Sequence, residues 1–234
     1  IYLFLTTSFK FNSLITTKTK DTLVTEVTDA LTSFNSTELV KFDAVFRHSQ
    51  LLRTIGDVDA SISSITVLPR LVKYFTPSLN EAKSYNLYFN NELYNPHSGH
   101  NVDGGGILSS TGFKITNDNS TNEHFLDDDG SGNIRVYYLS GTTRVYTSTS
   151  FGTIDYANGE IILTSANITS ISNIDGAAST RIRVTVTPDS NDIVPVRNQV
   201  LEIDTSNSTF TGDIDEIESG SSQAGTGYTT TSSY

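Results

Sequence analysis

The segment FGTIDYANGEIIL, residues 151–163, decides the predicted fold of the second half of the chain. Two runs rich in β-forming residues flank the dipeptide Asn158-Gly159. Asn and Gly both tolerate the positive φ angles that the central positions of a two-residue hairpin turn require. The segment therefore predicts two antiparallel strands joined by a two-residue turn, with Asn158 and Gly159 at positive φ.

A second segment, DIVPVRNQVLEID, residues 192–204, predicts extended structure. Pro195 interrupts the run, and β-forming residues resume at 199–203. Neither segment contains a nucleophile, a pair of catalytic carboxylates or a cluster of metal ligands. Both segments therefore indicate a structural framework rather than catalytic machinery.

Short β-forming runs recur through the second half of the chain. The predicted strands cover residues 107–115, 134–139, 143–146, 153–156, 160–163, 181–187 and 199–203. Turn signals separate them at Asp129-Gly130, Ser140-Gly141, Asn158-Gly159 and Pro188-Asp189. This regular alternation predicts an antiparallel β-sandwich or barrel-like domain over residues 81–204.

The beginning of the chain combines the periods of a strand and of a helix. Residues 1–11 carry apolar side chains at alternate positions, which predicts a strand with Leu3, Leu5, Phe9 and Phe11 on one face. Residues 21–34 repeat apolar side chains at spacings of three and four, which predicts a helix. The apolar stripe of this helix consists of Leu23, Val27, Ala30, Leu31 and Phe34.

A second helix is predicted over residues 36–55, with Ser36 or Thr37 as its N-cap. Extended structure returns over residues 62–75. Residues 1–80 are therefore expected to form a small βααβ unit whose helices cover one face of a sheet. The side chains expected to pack these helices onto the first strand are Leu23, Val27, Leu31, Phe42 and Phe46.

Residues 205–234 contain too few apolar side chains to form a core of their own. Ile203, Phe210, Ile214 and Ile217 could still anchor an extended segment on a sheet edge or on a neighbouring subunit. The predicted fold is therefore α+β and predominantly β. It consists of the βααβ unit over residues 1–80, the β-rich domain over 81–204, and an extended low-complexity C-terminal arm over 205–234.

The composition excludes several kinds of site and partner. The 234 residues carry a formal net charge of −11 and include no cysteine. The negative charge argues against binding to nucleic acid and to anionic membranes. The lack of cysteine excludes disulfides and thiolate chemistry. Since the chain opens at Ile1 inside a strand pattern, we expect it to be the C-terminal portion of a longer protein.

Two groups of residues resemble metal sites, but the sequence favours simpler interpretations of both. The acidic run at residues 127–129 lacks the glutamate that closes an EF-hand loop, so an acidic hairpin turn is favoured over calcium binding. His97, His100 and Asp103 share the glycine-rich loop 95–106, where solvated side chains are favoured over a zinc site. We expect no catalytic, cofactor-binding or metal-binding residues, no cofactor and no enzymatic activity.

The arginines of the predicted β-region leave two interpretations open. They are Arg135, Arg144, Arg181, Arg183 and Arg197. Each arginine could form an ordinary ion pair with a carboxylate of the same chain, which contributes little stability at a surface. Alternatively, the arginines could dock onto an acidic neighbouring subunit.

Several segments together resemble one protein family. They are the two segments quoted first, LVKFDAVFRHSQL at residues 39–51 leading into 53–57, the hairpin 127–139 followed by 144–146, and SGSSQAGTGYTTTSSY at 219–234. Spread along the chain, these segments together resemble the baseplate wedge protein of T-even-like contractile-tailed phages, which carries the baseplate J-like region. Each segment is a structural pattern, and the family offers no catalytic residues to carry over.

The resemblance implies a structural subunit of the baseplate inner ring that joins wedges around the tail hub. Its implied partners are copies of itself in homodimer or ring contacts, other baseplate wedge proteins and the sheath initiator. Its implied location is the virion tail baseplate, after synthesis in the cytoplasm of the host bacterium. The alternative is a receptor- or glycan-binding tail module, with Tyr85, Tyr88 and Tyr94 beside loop 95–106 as a carbohydrate platform.

Overall fold

Strands dominate the structure, and helices occur near its beginning. The computed structural model describes residues 1–100, 106–116, 118, 122–196 and 199–217. The chain divides into two compact units. Among the described residues, the first unit contains those within 1–3, 41–46 and 69–202, and the second contains those within 4–40, 47–68 and 203–217.

The described residues form two α-helices, one π-helical turn and twelve strands. In chain order these are β1 (Tyr2–Phe11), α1 (Lys20–Phe34), the π-helical turn (Asn35–Leu39), α2 (His48–Gly56), β2 (Ile62–Phe75), β3 (Ala82–Tyr88), β4 (Ser109–Ser110), β5 (Phe113–Ile115), β6 (His124–Asp128), β7 (Asn133–Ser140), β8 (Thr143–Asp155), β9 (Glu160–Ile171), β10 (Ile182–Val186), β11 (Glu202–Ile203) and β12 (Thr209–Ile214).

A closed, barrel-like sheet belongs to the first unit. Strands β5, β6, β7, β8 and β9 pair antiparallel in that order, and the long strand β9 also pairs with β5. Strand β3 also pairs antiparallel with β9. Closure leaves fewer unpaired backbone groups than an open sheet would. The predicted predominance of β-structure and the barrel-like sheet are confirmed.

The first unit also contains paired strands that do not belong to the barrel-like sheet. Strand β10 pairs antiparallel with residues 71–75 of β2 and with the short strand β4. The predicted strand 107–115 is therefore wrong as one element, because it divides into β4 and β5. The predicted strands 143–146 and 153–156 instead join into the single strand β8.

The β8–β9 hairpin is confirmed, but its predicted turn is wrong. Asp155 pairs with Glu160, so the turn has four residues instead of two. Gly159 has a φ of 63°, whereas Asn158 is not at positive φ. The Asp155 carboxylate accepts hydrogen bonds from Asn158 N at 3.0 Å and Asn158 Nδ2 at 2.7 Å. This aspartate stabilises a longer turn than the Asn-Gly pattern alone predicts.

The periodic patterns of β1 and α1 agree with the structure. Leu3, Leu5, Phe9 and Phe11 of β1 are all buried. Helix α1 begins after Thr19, whose side chain accepts a hydrogen bond from Thr22 N, as expected of an N-cap. The buried residues of α1 are Leu23, Val27, Leu31 and Phe34. In the second unit, β12 pairs parallel with β1, from Thr6 opposite Thr209 to Phe11 opposite Ile214.

The predicted helix 36–55 is wrong in its first half. Ser36 and Thr37 do not cap a new helix, because both hydroxyls donate hydrogen bonds to Ser33 O at 2.9 Å. They belong to the π-helical turn that continues α1. Asp43 follows with a φ of 59°, a left-handed conformation that interrupts a helix. Helix α2 therefore begins only at His48.

Because α2 begins only at His48, two of the residues predicted to pack from this helix lie outside it. Phe42 is 70% exposed, so the prediction that it packs into the core is wrong. Phe46 is buried, but it lies in a β-bridge with Ile193 instead of a helix. Leu23, Val27 and Leu31 are buried as predicted, since they belong to the helix whose period was clear.

Thr7 provides a test of the packing around β1. Its side chain is fully buried, and its hydroxyl has no hydrogen-bond partner within the described part of the chain. Replacing a buried, unsatisfied hydroxyl by a methyl group removes a desolvation cost. We expect Thr7→Val to raise the free energy of unfolding by about 1 kcal/mol in urea denaturation. Thr211→Val is the control, because the Thr211 hydroxyl has a partner and donates to Thr7 O. A loss of stability in Thr7→Val would contradict the prediction.

Candidate assembly surface

Several large apolar side chains of the second unit are exposed to solvent, and four of them lie in the chain near the ends of β1 and β12. Leu14 and Ile15 lie between β1 and α1, whereas Ile214 ends β12 and Ile217 follows it. Their exposed fractions are 75%, 62%, 51% and 73% in that order. We call these four residues the apolar rim. Grouped exposed apolar residues are typical of surfaces that bind another protein.

The apolar rim borders a surface groove of about 560 Å³. Ile214 lines the groove, Leu14 and Ile217 are each next to a lining residue in the chain, and Ile15 follows Leu14. The lining residues are Phe11, Ser13, Lys18, Thr19, Lys20, Asp213, Ile214 and Glu216. The groove therefore combines the C-terminal ends of the parallel strands β1 and β12 with the N-terminus of α1.

The lysines of the groove have carboxylate partners in the same unit. Lys20 Nζ lies 3.0 Å from Asp213 Oδ1. Lys18 Nζ lies 2.7 Å from Glu26 Oε2 and 2.9 Å from Asp59 Oδ2. The hydrogen bond from Lys18 lowers the pKa of Asp59 to about 2. Since both ammonium charges are compensated, the groove does not require an acidic partner.

A buried polar cluster lies within the barrel-like sheet of the first unit. Asp127 is 1% exposed and accepts hydrogen bonds from Arg135 Nε at 2.9 Å and Arg144 Nη1 at 2.8 Å. Tyr146 donates its hydroxyl proton to the same carboxylate at 2.9 Å. The two guanidinium groups stack over the rings of Tyr146 and Tyr137, at 4.4 Å and 4.6 Å from the centroids. We call these five residues the Asp127 cluster.

The charged groups of the Asp127 cluster form ion pairs with one another. Burial, reinforced by the Asp127 carboxylate, raises the pKa of Tyr146, so that its hydroxyl remains a donor. The ion-pair interpretation is therefore confirmed for Arg135 and Arg144. Their role is to connect strands β6, β7 and β8 through side chains as well as through the backbone.

The other two aspartates of the run 127–129 have different partners. Asp128 is fully buried and accepts hydrogen bonds from Leu108 N at 2.9 Å and from the Tyr156 hydroxyl at 2.7 Å. Asp129 forms the turn itself, because its carboxylate accepts from the backbone N–H groups of Ser131 and Asn133. The predicted acidic turn therefore applies to Asp129, while Asp127 and Asp128 belong to β6. In the described ranges, no group of three or more His, Asp or Glu residues has the arrangement of a metal site.

The remaining arginines have varied surroundings. Arg183 Nη1 lies 2.8 Å from Asp175 Oδ2, which confirms an ion pair. Arg181 stacks over the ring of Tyr74, with 4.7 Å between Cζ and the centroid. Arg197 lies outside the described residues. The acidic-subunit interpretation therefore receives no support from Arg135, Arg144 or Arg183, each of which has an ion pair within the chain.

The structure brings His97 and His100 together, but it does not bring Tyr85 and Tyr88 together. His97 and His100 lie side by side, whereas Asp103 lies outside the described residues. Tyr85 and Tyr88 point to opposite faces of β3, because three positions separate them in a strand. Tyr85 accepts a hydrogen bond from Ser78 N through its hydroxyl. These two tyrosines do not share a carbohydrate platform.

The apolar rim is the feature that sequence reasoning missed. Leu14 and Ile15 lie in a connection that is otherwise polar, and periodicity cannot assign a face to two adjacent residues in a turn. Ile214 and Ile217 were expected to anchor an arm, and both are exposed beside the groove. Residues 218–234, which complete the predicted arm, lie outside the described residues.

Comparisons with known proteins identify a family in the region that contains Leu14 and Ile15. None of the described helices has the length and apolar character needed to cross a bilayer. No curated protein matches the sequence of the chain. Residues 1–74 match the family described as baseplate structural protein gp6, C-terminal domain III. This match indicates a phage baseplate structural protein located in the virion tail, and it confirms over residues 1–74 the predicted resemblance to a T4-type baseplate wedge protein.

Proposed function

We propose that this chain is a structural subunit of the inner ring of a contractile-tail baseplate and that it has no enzymatic role. Its proposed partners are copies of itself, other baseplate wedge proteins and the sheath initiator. The observation that carries the proposal is the apolar rim, half of which lies within the region matched to the baseplate family.

The charge of the chain supports contact between copies through this rim. Two copies with a formal charge of −11 each repel one another at most orientations. A contact is therefore most favourable where the surface is apolar and its charges are already paired. The groove meets this condition, because Lys18 and Lys20 have their own carboxylate partners. Burial of Leu14, Ile15, Ile214 and Ile217 would then supply the hydrophobic contribution to association.

The fold also supports a ring that rearranges when the baseplate switches. The closed sheet of the first unit and the Asp127 cluster favour a rigid body, since both reduce local deformation. Rigid bodies that pivot about subunit interfaces are a common mechanism of switching in assemblies. We infer that this chain changes its contacts during tail contraction while its internal strand pairing is retained.

The proposal is tested by removing half of the rim. We expect Leu14→Ser combined with Ile15→Ser to weaken self-association in analytical ultracentrifugation and to abolish ring-like oligomers in electron microscopy. The thermal stability should change little, because both side chains are more than 60% exposed.

Leu79→Ser is the matched control, because Leu79 is 48% exposed but belongs to the first unit. This control should associate like the unmodified chain. Equal association of the rim variant and the control would contradict the proposed surface. A monomeric chain that binds a glycan array would instead support the alternative of a receptor- or glycan-binding module.

A further inference from the structure

A short turn brings the two histidines of loop 95–106 together. His100 N donates to His97 O at 3.1 Å, which closes a turn over residues 97–100. Gly99 occupies its third position with a φ of 76°, where a side chain would be strained. Gly99 N also donates to Gly130 O at 3.0 Å, so the β6–β7 turn holds this segment in place.

The imidazoles face each other across this turn. Nε2 of His97 lies 3.2 Å from Nδ1 of His100, and the two rings are nearly perpendicular, at 83°. His97 Nδ1 lies 3.3 Å from Ser98 O, which favours the tautomer that donates from Nδ1. His97 Nε2 then carries a lone pair directed toward its neighbour. The rings of His100 and Tyr94 also form a T-shaped pair, with 5.5 Å between centroids.

We propose that His97 and His100 form a two-histidine site for a divalent transition-metal ion. Imidazole nitrogens bind zinc at about 2.0 to 2.1 Å, so two of them on one tetrahedral ion lie about 3.3 Å apart. The observed separation of 3.2 Å matches this value. A hydrogen bond from the second ring nitrogen to a backbone carbonyl, as His97 has, is also typical of metal-binding histidines.

The chemistry of the pair selects the class of metal. Imidazole suits zinc, nickel and copper, whereas calcium and magnesium require oxygen ligands. Both side chains are exposed, so water or a ligand from another molecule can complete the coordination. The formal charge of −11 favours cations near the surface. This proposal differs from the expectation, based on the sequence, that both histidines are only solvated.

The test is titration of the full chain with zinc and with nickel by isothermal calorimetry. We expect one saturable site, and we expect His97→Ala or His100→Ala to weaken it by roughly tenfold to a hundredfold, because the second imidazole binds intramolecularly. With copper, electron paramagnetic resonance should detect two coordinated imidazole nitrogens.

Two further variants distinguish a metal site formed by His97 and His100 from metal binding to histidines elsewhere in the chain. Gly99→Ala retains both imidazoles but strains the turn, so it should also weaken binding. His48→Gln is the matched control, because His48 lies in α2 and contacts Val67 O; it should leave binding unchanged. The proposal is overturned if no saturable binding occurs, or if His97→Ala combined with His100→Ala binds as tightly as the unmodified chain. In that case the 3.2 Å separation reflects an ordinary N–H to N hydrogen bond.

Discussion

Asp127→Asn should lower the free energy of unfolding of the first unit by about 3 kcal/mol or more. The substitution preserves the shape of the side chain but removes its charge. Arg135, whose side chain is 9% exposed, would then have lost the anion that compensates its burial. Arg144 is 35% exposed and can reach water, so most of the cost arises from Arg135. Urea denaturation followed by far-ultraviolet circular dichroism measures the change.

Asp175→Asn is the matched control for this prediction. Asp175 pairs with Arg183, but its side chain is 56% exposed, so its removal should cost less than about 1 kcal/mol. Similar small losses in the two variants would mean that the Asp127 cluster is solvated in solution. Burial, and not the number of ion pairs, is what separates the two outcomes.

Leu31→Ala is expected to cost about 2 to 5 kcal/mol of stability in the second unit. Leu31 is fully buried on α1, and its truncation leaves a cavity that the surrounding residues fill only in part. The midpoint of thermal unfolding should therefore fall by several degrees.

Leu68→Ala provides the comparison within the same unit. Leu68 is 55% exposed on β2, so its truncation should change the stability by less than about 0.5 kcal/mol. An unchanged midpoint in Leu31→Ala would mean that α1 does not pack as described. A similar loss in both variants would mean that exposure does not determine the cost at these positions.

The sequence predicts best the elements in which one continuous segment shows a clear period of apolar side chains. Strand β2 has the predicted bounds, and α1 begins one residue before the predicted helix. Burial in α1 follows the spacing of three and four residues between its apolar side chains, and burial in the middle of β2 alternates along the strand. The break between α1 and α2 was missed because it depends on the backbone of Asp43, whose left-handed conformation no apolar pattern reports.

Strand β6 shows why charge patterns mislead. Asp127 and Asp128 resemble turn residues, since isolated carboxylates are rarely buried. Their burial depends on Arg135, Arg144 and Tyr156, which lie 7 to 28 positions away in the chain. A pairing at such separations becomes apparent only after the strands are placed. The same limit applies to the apolar rim, whose two halves are about two hundred residues apart.

The parallel pairing of β1 with β12 has a consequence for the timing of synthesis. Thr6 emerges from the ribosome about two hundred residues before its partner Thr209. At 5 to 20 residues per second, the edge of β1 that receives β12 waits roughly 10 to 40 s for its neighbour. Chains that terminate early leave this edge unpaired and the groove incomplete. A chain can therefore present the complete apolar rim only after its last described strand has been made.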